Sequence, residues 1–209
     1  MILAAGRGER MRPLTDTIPK PLLTIKGKSL IVYHLEALKS AGIDSVVINV
    51  SWLGEKIQQV LGDGSEYGLR IQYSVEAEAL ETAGGIIQAM DKLHDEFIVV
   101  NGDVFTDFDF SRLLSFTADA HLVLVDNPPH NPSGDFAIEQ GLLVNKGAQQ
   151  YTYAGISCYK KSFFDGHSEG RKALPPLLRV AADQQRISAE HFQGLWNDIG
   201  TPERLQQLQ

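Results

Sequence analysis

Residues able to handle a polyphosphate are concentrated in the first two dozen positions of this chain. A short apolar run, Met1–Ala5, gives way to Gly6-Arg7-Gly8-Glu9-Arg10-Met11-Arg12, and Lys20 follows between Pro19 and Pro21. Gly6 and Gly8 lack side chains, so main-chain amides there can approach a ligand closely. Arg7, Arg10 and Arg12 offer planar forks of donors suited to phosphate oxygens. The prolines flanking Lys20 narrow its backbone freedom and so the region its ammonium can reach. Together these residues form a candidate triphosphate cradle at the end of a first strand.

Acidic residues that could complete such a site lie far along the chain. Asp103 follows the apolar run Phe97–Val100 through Asn101-Gly102, and Asp198 sits in Trp196-Asn197-Asp198-Ile199-Gly200-Thr201. A carboxylate ending an apolar strand is costly to bury and well suited to Mg²⁺, which takes one or two carboxylates plus substrate phosphates. For either residue alone, a turn-forming aspartate is an equally good account, and Asp107 and Asp109 are read as helix caps. The Glu81-Thr82-Ala83-Gly84-Gly85 turn could bring amides near a base or sugar, or could simply start a helix. Asp135, after Gly134, could accept sugar hydroxyls or belong to a surface hairpin. His34, His94 and His121 follow no metal or triad spacing, and Trp52 and Trp196 read as packing residues.

The elements that must position these groups alternate between strand and helix, the signature of an α/β fold. Strands are expected at Met1–Ala5, Ser45–Val50, Leu69–Val75, Glu96–Val100 and His121–Val125. Helices are expected from Ser29, as N-cap, to Gly42, and over Leu53–Leu61, Thr82–Leu93 and Phe110–Phe116. After the loop 127–134, shorter antiparallel strands are expected at Phe136–Ile138, Leu142–Val144 and Tyr151–Tyr159. A helix over Lys172–Ala182, interrupted by Pro175-Pro176, then precedes strands at Ile187–Phe192 and Leu195–Ile199 and a last helix over Thr201–Leu208. The fold class implied is a doubly wound, mostly parallel, Rossmann-like sheet in one domain with a small inserted β-rich lobe. In such sheets ligands bind beyond the carboxyl ends of the strands. The loop after the first strand, the Glu81–Gly85 turn, Asn101–Asp103 and Trp196–Thr201 all fall there.

Composition narrows the function classes. The 209 residues are 43% hydrophobic and carry a net charge of −7, which disfavours a nucleic-acid partner held on a basic surface. Charge is nevertheless uneven: Arg7, Arg10, Arg12, Lys20, Lys26 and Lys28 outnumber Glu9 and Asp16 in the opening segment, as a small anionic ligand would require. No run approaches a membrane span of about 20 apolar residues, and the N-terminus lacks the zones of a secretory signal, so a cytoplasmic location is expected. Cys158, the single cysteine, has apolar neighbours and reads as a structural thiol.

Neither common nucleotide motif fits. Met11 stands where a dinucleotide fingerprint needs its third glycine, and Leu22 stands where a P-loop ending at Gly27-Lys28-Ser29 needs its first. The segments Leu3–Thr15 and Pro19–Pro21 instead resemble the sugar-1-phosphate nucleotidyltransferase family, whose pattern is Leu-Ala-Ala-Gly-x-Gly-x-Arg-Met-x-Pro-Leu-Thr followed by Pro-Lys-Pro. The likeness continues through Leu80–Gly85, Val100–Val104, Ala120–Pro128, Gly134–Phe136 and Trp196–Thr201. It implies a GT-A-like nucleotidyltransferase fold, with residues 1–126 as the nucleotide-binding half and 127–209 as the sugar-binding and metal-completing half.

The activity so implied is Mg²⁺-dependent transfer of UMP from UTP to an amino-sugar 1-phosphate, with N-acetylmuramate 1-phosphate of cell-wall recycling foremost. Other sugar 1-phosphates or phosphocholine, with dTTP, GTP or CTP, are the sibling alternatives, and a non-catalytic sugar-nucleotide sensor is the alternative of another class. Carried over by position, Leu3, Ala4, Ala5, Gly6, Arg7, Gly8, Lys20 and Gly84 would bind the nucleotide. Arg12, Lys20 and Asp103 would be catalytic, and Asp103 and Asp198 would hold Mg²⁺. Asn101, Asp135, Gly85 and Glu81 would contact the sugar phosphate. The expected partners are UTP and the sugar 1-phosphate, without nucleic acid or membrane, for a monomer or weak dimer. Ala83 departs from the family's third glycine, and relatives usually carry two or three residues before the equivalent of Met1.

Overall fold

A computed structural model describes all 209 residues. Its first strand, β1 (Ile2–Leu3), is shorter than the apolar run Met1–Ala5, because the chain leaves the sheet at Ala4 to begin the glycine loop. A small hairpin of β2 (Thr24–Ile25) and β3 (Lys28–Ser29) leads into α1 (Leu30–Ser40). Then come β4 (Ser45–Val50), α2 (Gly54–Leu61), β5 (Arg70–Val75), α3 (Glu81–Gln88) and β6 (Glu96–Asn101). The run expected to be helical over Phe110–Phe116 is a single 3-10 turn, Phe110–Leu113, between β7 (Val104–Thr106) and β8 (Ala120–Val125). The remainder comprises β9 (Ala137–Glu139), β10 (Leu142–Val144), β11 (Thr152–Lys160), α4 (Leu174–Asp183), β12 (Ile187–His191), β13 (Trp196–Asp198) and α5 (Pro202–Gln206).

Nine strands join one sheet in the order β5-β4-β1-β6-β11-β8-β12-β10-β9. Only β11 and β10 run against the rest. The inserted segment therefore supplies both the β9–β10 edge and a central strand. β11 is almost wholly buried, as a strand covered on both faces must be. Pro175 and Pro176 do not interrupt α4 but start it, since first-turn N–H groups need no intrahelical partner. Asp109 caps its 3-10 turn as expected, through Ser111 N at 2.9 Å. Asp107 does not cap a helix: its Oδ1 accepts from Leu195 N at 2.7 Å and so holds the start of β13.

Core residues lie on both faces of the sheet. One cluster packs α1 and α2 against the sheet through Leu35, Ile48 and Ile57, and a second packs α3 and α4 through Ile86, Val99 and Leu178. A third, smaller cluster joins Met11, Leu23, Ile25 and Leu30 to Ile199 and Leu205. It clamps the glycine loop to the distant segment that carries Asp198, so Met11 is an anchor at the place where a dinucleotide fold has a glycine. Cys158 is 1% exposed, and burial pushes its thiol up to about 12. At pH 8 it is therefore protonated as well as shielded. A disulfide reagent should leave the native protein unlabelled and titrate one thiol only after guanidinium denaturation. Fast labelling of the native chain would contradict this burial.

Candidate active site at the carboxyl edge of the sheet

A cleft of about 490 Å³ opens where β1, β4, β5 and β6 end. Of the residues singled out from sequence, Leu3, Ala4, Ala5, Gly6, Gly8, Lys20, Glu81, Asn101 and Asp103 line it. The loop after β1 is shaped by Gly8, whose φ of 66° is left-handed and whose carbonyl accepts from Thr15 Oγ1 at 2.8 Å. A side chain on Gly8 would also press on the Lys20 stem, 3.3 Å from its Cβ, whereas the space above Gly6 is open. Gly6 thus keeps the cleft clear and Gly8 makes the turn.

The loop's arginines divide. Arg10 lines the cleft. Arg7 lies outside it, its guanidinium 4.6 Å over the Trp52 ring, while Trp52 Nε1 donates to Thr15 O at 3.1 Å. Arg12 is exposed and paired with Asp16 at 2.7 Å. Neither Arg7 nor Arg12 faces the cleft in this conformation.

Asp103 meets Lys20 at 2.6 Å, with both side chains partly buried. The β6–β7 turn that presents Asp103 is held by main-chain bonds, Gly102 N to Leu3 O at 2.9 Å and Ile199 N to Asp103 O at 2.8 Å. Gly102 is needed there because a Cβ would lie 2.7 Å from Leu3 O. Behind the turn, burial pushes His34 down to about 4, so it is neutral at physiological pH. In the β7–β13 ladder Asp198 stands opposite Val104, so the segments bearing Asp103 and Asp198 run side by side. Asp198 is not in the cleft lining. Its Oδ2 accepts from an Arg204 guanidinium nitrogen at 2.7 Å, and its Oδ1 lies 3.1 Å from His130 Nε2.

No group of three or more His, Cys, Asp or Glu forms a metal cage. Asp103 in the β6–β7 turn and Asp198 in β13, each paired with a basic side chain, are nonetheless the hard oxygen donors that Mg²⁺ takes together with phosphates. Asp103 and Asp198 therefore fit a divalent cation that arrives with its nucleotide.

Of the remaining expected residues, Gly84, Gly85 and Asp135 are not in the cleft lining, while Glu81 is. Gly84 packs against the segment 170–172, where Gly84 N donates to Lys172 O at 3.0 Å and Lys172 N donates to Leu80 O at 2.9 Å. Gly85 backs onto Glu76 and Asn49. Both Asp135 oxygens are used internally: Oδ2 accepts from Tyr153 N at 2.9 Å and Oδ1 from Asn131 Nδ2 at 3.2 Å. Glu81, at the cleft rim, has a left-handed φ of 63° and accepts from Arg171 Nε at 2.8 Å. Such a conformation costs about 1–3 kcal/mol in a non-glycine residue and is sustained only where its surroundings hold it.

Sequence reasoning missed three contributors. Asn49 and Glu76 line the cleft while only 3% exposed each. Their signal was a polar residue at the carboxyl end of the apolar strand β4 and another just after the neighbouring, alternating strand β5. Gly155, with φ 71° at a bulge in β11, makes room for Asn101, whose Nδ2 would lie 2.5 Å from a Cβ there. A glycine inside a strand is the usual mark of such an approach.

The chain belongs to the nucleotidyl transferase family, whose profile matches residues 1–138. It is 51% identical to the N-acetylmuramate alpha-1-phosphate uridylyltransferase of Neisseria meningitidis serogroup B, over 100% of this chain and 96% of that protein. It is 31% identical to the mannose-1-phosphate guanylyltransferase of Mycobacterium tuberculosis, over 97% of this chain and 61% of that longer protein. Among solved structures, a Bacillus anthracis protein proposed to be a glucose-1-phosphate thymidylyltransferase matches with TM-score 0.88, 21% identity and coverage of 99% and 92%. HddC from Yersinia pseudotuberculosis, complexed with GMP-PN, matches with TM-score 0.79, 22% identity and coverage of 99% and 96%. These two likenesses concern the fold. No helix of the chain is long and apolar enough to cross a membrane.

Proposed function

We propose that this enzyme transfers UMP from UTP to N-acetylmuramate 1-phosphate, giving the UDP-sugar and pyrophosphate, in the cytoplasm and with Mg²⁺. The observation that carries the reading is 51% identity to a uridylyltransferase of that specificity along the full chain. In the reaction a phosphate oxygen of the sugar 1-phosphate bonds to the α-phosphorus of UTP, and the bond from that phosphorus to the β-phosphate oxygen breaks. The attacking oxygen is already anionic, so the protein needs no nucleophile or strong base, only positioning and charge neutralisation.

In this reading Leu3–Gly8 hold the nucleoside and phosphates, with Arg10 above them. Lys20 moves from Asp103 to the phosphates and stabilises the departing pyrophosphate. Arg7 and Arg12 reach the phosphates only if the loop closes, which means leaving Trp52 and Asp16. Asn101 contacts the sugar phosphate from its place against Gly155, with Glu81 and Gly85 framing the rim and Asp135 holding the loop before β9. Asp103 and Asp198 would hold Mg²⁺, and the chemistry it would supply there is neutralisation of phosphate charge.

The test is pyrophosphate release from each of UTP, dTTP, GTP, CTP and ATP against a panel of sugar 1-phosphates and phosphocholine. UTP with N-acetylmuramate 1-phosphate is expected to be the preferred pair. Preference for GTP with mannose 1-phosphate would move the assignment to the chemistry named for the 31%-identical relative. Release from no pair would leave a sugar-nucleotide sensor.

A further inference from the structure

A buried polar relay crosses the strand ends beneath the cleft. Asn49 is the next-to-last residue of β4 and pairs in register with Leu3 of β1. Its Oδ1 accepts from Ala4 N at 2.8 Å, at the point where the chain leaves the sheet for the glycine loop. Its Nδ2 donates to Glu76 Oε1 at 2.7 Å, and Glu76 Oε2 accepts from Leu80 N at 2.9 Å at the start of α3. The amide orientation follows from chemistry, because the Ala4 N–H can only donate and so must meet Oδ1, which leaves Nδ2 to donate to Glu76. The two side chains are 3% exposed, and polar groups so buried must be hydrogen-bonded, as both are here. Gly85 leaves them room: a Cβ there would lie 2.6 Å from Glu76 Oε1 and 2.8 Å from Asn49 Nδ2.

We propose that Asn49 is the positioning residue of the nucleotide rim, fixing the Ala4 amide on one wall of the cleft and the Glu76 carboxylate on the other. The inference rests on the nucleotidyl-transfer reading and adds to it a residue outside the glycine–arginine loop. Asn49 acts through its two partners. One side-chain amide sets the register of the loop, the depth of Glu76 and, through Leu80, the start of the helix that bears Glu81. A rim assembled this way serves the nucleotide before any bond changes, so its loss appears in nucleotide affinity more than in turnover.

Asn49→Ala is expected to raise KM for UTP by about tenfold or more while kcat falls far less, the pattern of lost ground-state positioning. KM for the sugar phosphate should stay near its wild-type value. Asn49→Asp sets a second carboxylate against Glu76 and is expected to be worse. The paired change Asn49→Asp with Glu76→Gln restores every bond with the donor reversed, since the side-chain amide introduced at position 76 would donate to the carboxylate at position 49. It is expected to recover both the melting temperature and the UTP KM. Gly85→Ala presses on the same pair without removing a hydrogen-bonding group and should raise the UTP KM if Asn49→Ala does not fold.

The proposal is overturned by a folded Asn49→Ala enzyme with wild-type KM. It is equally overturned by a paired variant that regains its melting temperature but keeps the raised KM, which would assign the effect to the Glu76 charge itself. Calorimetric titration with magnesium-UTP reads the same contrast as a dissociation constant. A wild-type protein that binds UTP but turns over no pair therefore defeats the proposed reaction alone, and an unchanged Asn49→Ala affinity defeats the relay alone.

Discussion

Asp103→Ala is expected to lower pyrophosphate release by about a thousandfold or more, the scale of several kcal/mol of lost transition-state charge stabilisation. The reason lies in what surrounds the carboxylate. Asp103 holds Lys20 at 2.6 Å, and the lysine side chain is only 12% exposed. Removing the carboxylate takes away the group that holds Lys20 in place before the phosphates arrive and one of the two oxygen donors proposed for Mg²⁺. Product and substrate charges can then no longer be balanced by the same set of groups.

The fold should survive, because the turn carrying Asp103 is closed by main-chain bonds to Leu3 and Ile199, and an alanine makes both. Steady-state pyrophosphate release, with a far-ultraviolet dichroism melt on the same preparation, separates the two effects. A folded variant within tenfold of wild type would remove Asp103 from the reaction. Mn²⁺ binding to the variant in the presence of UTP gives a second reading, expected to weaken in parallel.

Gly84→Ala is expected to give the largest stability loss of any single methyl addition near the cleft. An added Cβ would stand 2.3 Å from the Gly170 carbonyl oxygen and 3.1 Å from Lys172 N, and neither contact is with a flexible side-chain end. The segment 170–172 must therefore move away from α3. That motion breaks the bonds Gly84 N to Lys172 O and Lys172 N to Leu80 O. Overpacking costs about 1–3 kcal/mol and each of the two lost hydrogen bonds about 1, so a total of about 3–5 kcal/mol follows. In a chain of this size each kcal/mol lowers Tm by about 2–4 °C, so a fall near 10 °C is expected by scanning calorimetry. The Arg171–Glu81 pair would be pulled apart as well, freeing Glu81 from its left-handed conformation. A Tm within 2 °C of wild type would show that the segment is not held as described.

The architecture was largely legible because its buried strands are written as continuous apolar runs. Ser45–Val50 and Leu142–Val144 read from the sequence as they fold, whereas the helix expected over Thr82–Leu93 ends at Gln88 and gives way to a 3-10 turn over Met90–Lys92. β1 was overestimated because Ala4 and Ala5 are buried under the loop rather than in the sheet, and burial looks the same in sequence whichever cause it has. The short run after Phe110 lacks the length to sustain an α-helix, and its packing is met by one 3-10 turn. The proline pair in α4 misled for a related reason: position within the helix, not proline itself, decides whether a backbone donor is lost.

At the site, the rule that a cleft in an open α/β sheet lies where strands stop pointed to Asn101, Asp103 and the Gly6–Gly8 loop, and the flanking prolines to Lys20; all of Asn101, Asp103, Gly6, Gly8 and Lys20 line the cleft. The alternation of strands and helices determined the fold class from sequence alone, while the glycine–arginine spacing, with the family resemblance it carries, pointed to phosphate chemistry and to the late aspartates as its complement.

Only the tertiary structure decided which cations face the cleft. Arg7 rests on Trp52 and Arg12 on Asp16, partnerships set by three-dimensional proximity as much as by order along the chain. Only the tertiary structure joined Asn49, Glu76 and Gly85, separated by 27 and 9 residues. Hydrophobic pattern records which face of an element is buried. It does not record which buried polar group meets which, because that depends on strand order and register, and those arise only when the sheet closes.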